Sequence, residues 1–327
     1  MDFKSKRILI TGGTGSFGNR VADYLESFNP KEILIFSRDE KKQFEMQKAK
    51  PDYHYIIGDI RDESQVDYAV RNADIIFHAS ALKQVPSCEV YPYEAVKTNV
   101  IGSRNLCEAA TKHSIEAVVA LSTDKAVKPI NSMGISKAMM EKIVCSQNMR
   151  QHDTIFCCVR YGNVMGSRGS VIPLFKKQIE DQRRLTITEP NMRRFLMTLG
   201  QSVELVHYAF SNARGGEIFV KKAPACTVVD LAKTMLKKYG DGNLELIDIV
   251  GIRPGEKLDE VLVNEYEIQR AIEAAEFYTI PAEYSNPSAL GKYPVGYEYT
   301  SSNTTQLVTY DEISNMLDLM GTSEYYT

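Results

Sequence analysis

The feature that most constrains this chain is a glycine-rich loop between a short apolar run and a helical pattern. The apolar run ends at Ile10, and glycines follow at a GxxGxxG spacing within residues 12–18. Because glycine lacks a Cβ atom, such positions let the backbone turn sharply, let a pyrophosphate approach and let the helix pack on the strand. The context predicts a dinucleotide site. The predicted cofactor contacts in this loop are Gly12, Thr14, Gly15, Ser16, Phe17 and Gly18.

Short apolar runs alternate with helix-like stretches through the first half of the chain, near residues 8, 34, 56, 76, 119 and 156. Each run is apolar at consecutive positions, which indicates strands that are buried on both faces. The pattern predicts an α/β fold, with a Rossmann-type doubly wound parallel sheet over residues 1–165. Over residues 166–327 the segments are shorter and more polar, so we expect a smaller mixed substrate-binding lobe, with some segments returning to the first domain. An irregular tail from Tyr293 to Tyr310 precedes a last helix.

The composition excludes several classes of protein. The net charge of the 327 residues is only -3, and no stretch clusters lysine and arginine with aromatic residues, so no nucleic-acid partner is expected. No apolar run approaches the roughly 18 residues of a membrane span, and no signal-peptide pattern opens the chain, so we expect a soluble cytoplasmic protein. The six cysteines and five histidines are dispersed, which predicts free thiols and no metal site.

The end of the second strand predicts which dinucleotide is bound. Ser37 and Arg38 stand where an acidic residue would take the ribose hydroxyl of NAD. A guanidinium can hold a 2′-phosphate, and Lys42 one helical turn on can assist, so NADP is favoured over NAD. The adjacent acids Asp39 and Glu40 weaken this preference for NADP.

Later strand ends supply further predicted contacts. The Asp59 carboxylate suits an adenine contact, although a plain polar turn is an equal alternative. Small residues after the fourth strand would line the cofactor. The further predicted cofactor contacts are Asp59, Ile60, Ala79, Ala81, Lys83, Asn99, Ser122 and Lys137.

The fifth strand delivers Thr123, Asp124 and Lys125 to the carboxyl edge of the sheet, where ligands of open α/β sheets bind. A neighbouring acid and amine can donate and accept protons at adjacent substrate atoms. Such pairs are also common on solvated loops, and the position at the strand end favours the catalytic interpretation.

The next segment resembles the short-chain dehydrogenase/reductase pattern in which a tyrosine precedes a lysine by four residues. Lys137 is present, but Met133 occupies the tyrosine position. A thioether cannot exchange a proton. Positioned acid-base groups contribute about 10²–10⁴-fold, so a substitute is needed, and it would be Asp124, Lys125 or a water.

Nearly the whole chain resembles the extended short-chain dehydrogenases that dehydrate UDP-N-acetylglucosamine. The resemblance is closest to the inverting UDP-N-acetylglucosamine 4,6-dehydratases of capsule and O-antigen synthesis, and within them to the CapE subgroup, in which methionine replaces the tyrosine. The segments that carry it are residues 12–18, 36–40, 81–86, 122–126, 133–137, 160–164, 169–173, 185–188, 194–195 and 253–257.

The resemblance implies an internal redox cycle with a tightly bound, recycled NADP. Hydride passes from sugar C4 to the cofactor and back to C6, while C5 loses and regains a proton and the C6 hydroxyl leaves as water. Lys125 would remove the C5 proton, Asp124 would protonate the departing hydroxyl, and Lys137 would contact the nicotinamide ribose. The resemblance also implies a homo-oligomer, specifically a hexamer, whose C-terminal tail folds over a site. The implied substrate contacts are Lys83, Asn163, Val171, Thr188, Arg193, Arg194, Arg253 and Glu256, with the phosphate-binding arginine being either Arg193 or Arg194.

Two other functions remain as alternatives. One is a nucleotide-sugar 4-epimerase or ketoreductase on the same scaffold, which would have no need of an acid to expel water. The other is a non-catalytic NADP sensor or scaffold, suggested by the missing tyrosine, although such a protein has no use for a proton-transfer pair.

Overall fold

A nine-stranded sheet forms the centre of the computed structural model, which describes residues 3–150, 152–167, 169–283, 285 and 292–320. Numbered in chain order, the strands of this sheet are β1 (Arg7–Thr11), β2 (Glu32–Ser37), β3 (His54–Ile57), β4 (Ile75–His78), β5 (Ala117–Leu121), β6 (Ile155–Arg160), β10 (Ile218–Lys221), β14 (Ile272–Glu273) and β15 (Phe277–Ile280). The spatial order is β14-β15-β10-β6-β5-β4-β1-β2-β3. In this spatial order, each strand between β10 and β3 pairs in parallel with its neighbours. At the other edge, β15 pairs antiparallel with β10, and β14 pairs antiparallel with β15.

Some of the helices cover both faces of this sheet, and others pack in the separate core of the second half of the chain. In chain order they are α1 (Ser16–Glu26), α2 (Glu40–Ala49), α3 (Glu63–Val70), α4 (Val85–Val90), α5 (Pro92–Ala95), α6 (Gly102–Lys112), α7 (Ser132–Ser146), α8 (Val171–Glu180), α9 (Leu199–Asn212), α10 (Val228–Tyr239) and α11 (Tyr310–Asp318). A π-helical segment (Val96–Ile101) joins α5 to α6. Several helices begin at the polar residue that the sequence places there, as where the Asn131 side chain accepts from the backbone N–H of Gly134 at the start of α7.

Consecutive apolar residues explain why the sheet is covered on both sides. Along β1, Ile8 and Ile10 point into one hydrophobic cluster, while Leu9 points into the other. Successive side chains of a strand face opposite sides, so a run without polar residues requires two buried faces. The doubly wound α/β fold predicted from these runs is confirmed.

The second half of the chain builds a lobe and also completes the main sheet. The remaining strands are β7 (Asn163–Val164), β8 (Leu185–Ile187), β9 (Arg193–Met197), β11 (Ala225–Thr227), β12 (Ile247–Ile249), β13 (Val261–Val263) and β16 (Tyr299–Thr300). They form small sheets, some of which surround a separate core that includes Phe175, Leu231 and Met235. Strands β13 and β16 instead pack through Leu262 and Tyr299 on the hydrophobic cluster of the main sheet. Strands β10, β14 and β15 lie in the main sheet, so the chain returns there after building the lobe. The boundary at residue 165 stays a prediction, and residues 321–327 of the proposed tail lie outside the described part of the chain.

Candidate active site

A cavity of about 1010 Å³ lies at the carboxyl ends of the parallel strands, between the sheet and the lobe. Its position is where open α/β sheets bind ligands, and its size is at the upper end for ligand sites, which leaves room for two extended molecules. The predicted residues on its wall are Gly12, Thr14, Gly15, Ser16, Phe17, Gly18, Ser37, Arg38, Lys42, Ile60, Ala79, Ala81, Lys83, Ser122, Thr123, Asp124, Lys125, Met133, Lys137, Asn163, Val171, Arg194, Arg253 and Glu256.

The glycine loop is shaped for a group that approaches the backbone closely. Gly12 has φ +69°, and a Cβ atom there would lie 2.9 Å from the backbone nitrogen of Ser80. A Cβ atom on Gly18 would lie 2.5 Å from the Gly12 carbonyl oxygen. Gly15 stands at the N-cap of α1 and offers no side-chain cap, so the first-turn N–H groups face the loop. These residues fit a dinucleotide pyrophosphate at the helix N-terminus.

The edge of the cavity near β2 carries two cations. Arg38 is about half exposed and its Nη1 lies 3.5 Å from Asp59 Oδ2, while Lys42 Nζ lies 2.8 Å from Asp39 Oδ2. The Asp59 carboxylate also accepts hydrogen bonds from Arg61. Burial acts to raise the pKa of Asp59, but the bonds from Arg61 outweigh it and lower the pKa. Asp59 is therefore held by arginines and does not line the cavity, whereas the neighbouring Ile60 does.

A short turn after β5 presents the acid and the amine. Its backbone is fixed because the Asp124 N–H donates to the Tyr161 carbonyl at 3.0 Å. Asp124 is fully buried, and its Oδ1 accepts from Thr123 Oγ1 at 2.8 Å and from Lys125 Nζ at 3.0 Å. Its Oδ2 is buried and has no hydrogen-bond partner among the described residues. The turn therefore holds one carboxylate oxygen by hydrogen bonds and leaves the other buried, with no partner among the described residues, in a side chain that belongs to the cavity wall.

Lys125 is held as an ammonium by its neighbours. Burial acts to lower its pKa, but the carboxylates of Asp124 and Glu260 outweigh both burial and the opposing charge of Arg194, so the pKa is raised. The Lys125 side chain keeps 24% of its exposure and lies on the cavity wall. Lys125 is therefore an ammonium, and its Nζ donates a hydrogen bond of 3.0 Å to Asp124 Oδ1.

Helix α7 packs directly against this turn. A Cβ atom on Gly134 would lie 2.2 Å from the Lys125 carbonyl oxygen, so only glycine allows this approach. Met133 is buried against Cys88 and Ala95, and its thioether contributes an apolar part of the wall. Lys137 donates from Nζ to the Leu121 carbonyl, and burial lowers its pKa to about 8.

Three further predicted residues do not reach the cavity wall. Arg193 and Arg194 alternate along β9, and the structure places only Arg194 at the cavity, while Arg193 Nη1 lies 3.5 Å from Asp259 Oδ1. Thr188 follows β8 and donates to Met192 Sδ at 3.3 Å. Asn99 is buried, and its amide binds the Leu82 backbone and Ser136 Oγ, so it fixes the loop after β4 against α7. Contact of these residues with a ligand stays a prediction.

Among the wall residues that were not predicted singly as site residues are Tyr161, which lies in the segment 160–164 that carries the resemblance, and Glu260. Tyr161 follows β6, and its ring stacks on Phe17 with centroids 5.3 Å apart. Its position directly after a strand of the parallel sheet is a signal that could have found it. Glu260 comes from the lobe, and no local pattern marks it.

Within the described residues, no group of three or more histidine, cysteine, aspartate or glutamate side chains could hold a metal ion. No helix in the part of the chain that the structure describes is long and apolar enough to cross a membrane.

Comparison with known proteins agrees with this geometry. A sequence profile described as polysaccharide biosynthesis protein matches residues 8–282. A protein named UDP-glucose 4-epimerase from Rickettsia canadensis (strain McKiel) is 48% identical over 330 residues, which cover 96% of each chain. The solved structure of Pen from Bacillus thuringiensis is 36% identical, with a TM-score of 0.91 and coverage of 98% of this chain and 99% of that one. A dTDP-glucose 4,6-dehydratase from Streptomyces venezuelae, at 22% identity and a TM-score of 0.71 over 77% of this chain and 86% of that one, shares the fold.

The fold is a doubly wound α/β fold of the Rossmann type, with a glycine-lined cavity at the carboxyl ends of its parallel strands. This chain belongs to the polysaccharide biosynthesis protein family.

Proposed function

We propose that this chain is a UDP-N-acetylglucosamine 4,6-dehydratase that inverts C5 and releases a UDP-4-keto-6-deoxy-L-hexose derivative. The observation that carries the proposal is the Asp124–Lys125 pair on the cavity wall, with a nitrogen-to-oxygen distance of 3.0 Å. Removal of a C5 proton and expulsion of the C6 hydroxyl need a base and an acid at adjacent carbons. Two such groups from adjacent residues meet that need.

The charge state of the pair sets the order of its proton transfers. The resting Lys125 ammonium cannot accept a proton, and the resting Asp124 carboxylate cannot donate one. Movement of one proton from Nζ to Oδ1 along their hydrogen bond gives an amine and a carboxylic acid without any change in net charge. The amine then takes the C5 proton, and the acid protonates the C6 hydroxyl as the C–O bond breaks, which releases water. The Lys125 ammonium finally returns a proton to C5 from the opposite face. The proton that the C4 hydroxyl loses when C4 is oxidised passes through solvent to Lys125 and restores the resting ammonium.

The loop of residues 12–18 and Lys137 would hold NADP, with Arg38 and Lys42 receiving its 2′-phosphate. When bound, it would supply a hydride acceptor for sugar C4 and a hydride donor for C6. The burial of Asp124 and Lys137 keeps bulk water away from the groups that surround the reacting carbons. Met133 adds an apolar surface that exchanges no proton.

Cations from the lobe would bind the nucleotide diphosphate. Arg194 lies on the cavity wall, and Arg253 lies on it in a loop whose backbone is fixed by Glu256. A guanidinium matches the geometry of phosphate oxygens. We further propose that the enzyme is a cytoplasmic homo-oligomer, specifically a hexamer, and its mass in solution would test this.

Proton NMR of the purified protein with UDP-N-acetylglucosamine in D₂O, without added cofactor, tests the proposed reaction. We expect a new C6 methyl signal, deuterium at C5 and ring couplings of the inverted sugar. No change, even after NADP+ is added, would overturn the proposed substrate. Tight cofactor binding without turnover of any UDP-sugar would favour the non-catalytic alternative.

A second candidate is UDP-glucose 4-epimerase, because relatives at 46–48% identity carry that name. Epimerisation at C4 leaves the C6 hydroxyl and the C5 proton in place. The same experiment with UDP-glucose separates the two functions, since an epimerase would give the UDP-galactose anomeric signal with no methyl signal and no deuterium at C5. Stoichiometric consumption of added NADPH would instead indicate a ketoreductase.

A further inference from the structure

Glu260 is a buried carboxylate that the lobe contributes to the cavity wall. It directly precedes β13 and is 2% exposed. Its backbone is fixed on both sides by Ser301, since the Glu260 N–H donates to Ser301 Oγ at 3.0 Å and the Ser301 N–H donates to the Glu260 carbonyl at 2.9 Å. A buried acid is costly unless a cation or hydrogen bond compensates it, so its side-chain contacts explain its presence.

Those contacts are two cations of the cavity. Glu260 Oε1 lies 3.5 Å from Lys125 Nζ and 3.9 Å from Arg194 Nε. The other oxygen, Oε2, is buried and has no hydrogen-bond partner among the described residues. Glu260 therefore joins the amine of the proton-transfer pair to the arginine on the diphosphate side of the cavity.

The Lys125 ammonium is consequently held by two carboxylates from different parts of the chain. Asp124 comes from the turn after β5, and Glu260 comes from the lobe. Other charged or titratable groups near Lys125 include Arg194, Lys257 and the Tyr161 phenol, and both cations oppose a charge on Lys125. Further charged residues of the cavity wall are Lys83, Glu89, Lys137, Arg253 and Glu256. Lys257 Nζ donates a hydrogen bond to the Val127 carbonyl oxygen at 2.7 Å. Glu260 is thus the part of the lobe that favours the ammonium.

We propose that Glu260 is a positioning residue that keeps Lys125 charged and directed into the cavity until the proton passes to Asp124. For turnover, this inference rests on the proposed dehydratase function. The effect of Glu260 on the charge of Lys125 does not depend on that function, because the three side chains are in place without substrate. Glu260 would therefore set the pH range in which Lys125 becomes an amine.

The test measures how fast Lys125 reacts with an amine-acylating reagent as a function of pH, with the modified peptide quantified by mass spectrometry. In Glu260→Gln we expect the midpoint of the Lys125 curve to move to lower pH by about one unit, which is roughly tenfold faster labelling at a fixed pH below the midpoint. Glu260→Asp retains a carboxylate one methylene further away and should give a smaller shift of the same sign. Glu265→Gln is the matched control, since it removes a charge five residues on that pairs with Lys128, and its curve should follow the wild type.

A purely structural role for Glu260 would alter protein yield or melting temperature while the Lys125 midpoint stays in place. If Glu260→Gln does not fold, Glu260→Asp must still move the midpoint downward, and an unmoved midpoint in the folded variants overturns the inference. The pH profile of C5 deuterium exchange in the same variants gives a second reading. A protein that dehydrates no UDP-sugar but shows the labelling shift would refute the proposed function and leave the role of Glu260 intact.

Discussion

Asp124 and Lys125 differ in how far their side chains are buried and in how firmly they are held. The aspartate is enclosed and tied to Thr123, so its position is fixed, whereas the lysine keeps an exposed fraction at the cavity. An acid that is fixed and an amine that faces the cavity are suited to different steps. Substitution of each should therefore stop the reaction at a different point.

We expect Asp124→Asn to lose dehydration by about 10²–10⁴-fold, because an amide cannot protonate the departing hydroxyl. Deuterium exchange at C5 should persist, because loss of the Asp124 charge lowers the pKa of Lys125 and lets its amine form by release of a proton to solvent. Lys125→Met should lose both dehydration and deuterium exchange at C5. The control is Lys128→Met, which removes a surface lysine paired with Glu265 and should retain both activities. Proton NMR in D₂O measures the two steps in one sample. Normal turnover in Asp124→Asn, or surviving exchange in Lys125→Met, would contradict the assigned roles.

Lys137 should make cofactor binding depend on pH. Its pKa is lowered to about 8 by burial, so it is charged below that pH and neutral above it. If the charged form holds the nicotinamide ribose, affinity for the oxidised cofactor is greatest below about pH 8 and falls as pH rises through this value. Titration calorimetry between pH 7 and 9 measures the change. Lys137→Met should bind more weakly and with no such dependence, and a flat wild-type profile would exclude the contact.

At the scale of elements, one buried ion-pair cluster connects α7 to the rest of the fold. Arg160 at the end of β6 is fully buried and binds Glu141 of α7 and Glu267 of the lobe. Glu141 also accepts a hydrogen bond from Ser122 at the end of β5. The helix that carries Met133 and Lys137 is thereby fixed against two strands and the lobe.

Arg160→Met should lower the free energy of unfolding by about 3–5 kcal/mol, because two buried carboxylates lose their cation. The control is Lys142→Met, which removes an exposed pair with Glu283 and should change stability by less than about 0.5 kcal/mol. Urea denaturation followed by circular dichroism compares the two. Equal midpoints for both variants would mean that the cluster does not stabilise the fold.

Local patterns in the sequence predicted the elements but not the contacts between distant ones. The consecutive apolar runs predicted the strands of the first half because a doubly covered sheet leaves that pattern in any short window. The strand ends then brought Asp124 and Lys125 to the cavity edge. The pairing of Glu260 with Lys125 joins positions far apart in the chain, and nothing local encodes it. The alternation along β9 that separates Arg193 from Arg194 also needed the structure, since both positions carry the same residue type.

At the scale of the whole molecule, the first half of the chain does not contain its complete sheet. Strand β6 pairs with β10, and β15 and β14 extend that edge from still later in the sequence. The proposed dinucleotide domain thus depends on residues beyond 217.

A chain that ends at residue 165 should therefore fail to fold cooperatively, because the edge of β6 and the apolar surface under α9 are left exposed. Denaturation of this fragment should show no sharp transition, and the fragment should aggregate. Addition of a separately expressed fragment of residues 166–327 should restore a transition if the two parts associate. A monomeric fragment that unfolds cooperatively would show that the first half is an independent domain.

The late arrival of β10 also bears on how the protein is made. During synthesis, β6 leaves the ribosome well before β10. The edge of β6 that pairs with β10 is therefore exposed, and can pair with other chains, until residue 221 has emerged. Slower translation before that point would lengthen this interval, and faster translation would shorten it. The yield of native enzyme in a cell should then depend on codon choice between β6 and β10, and on chaperones that cover an exposed strand.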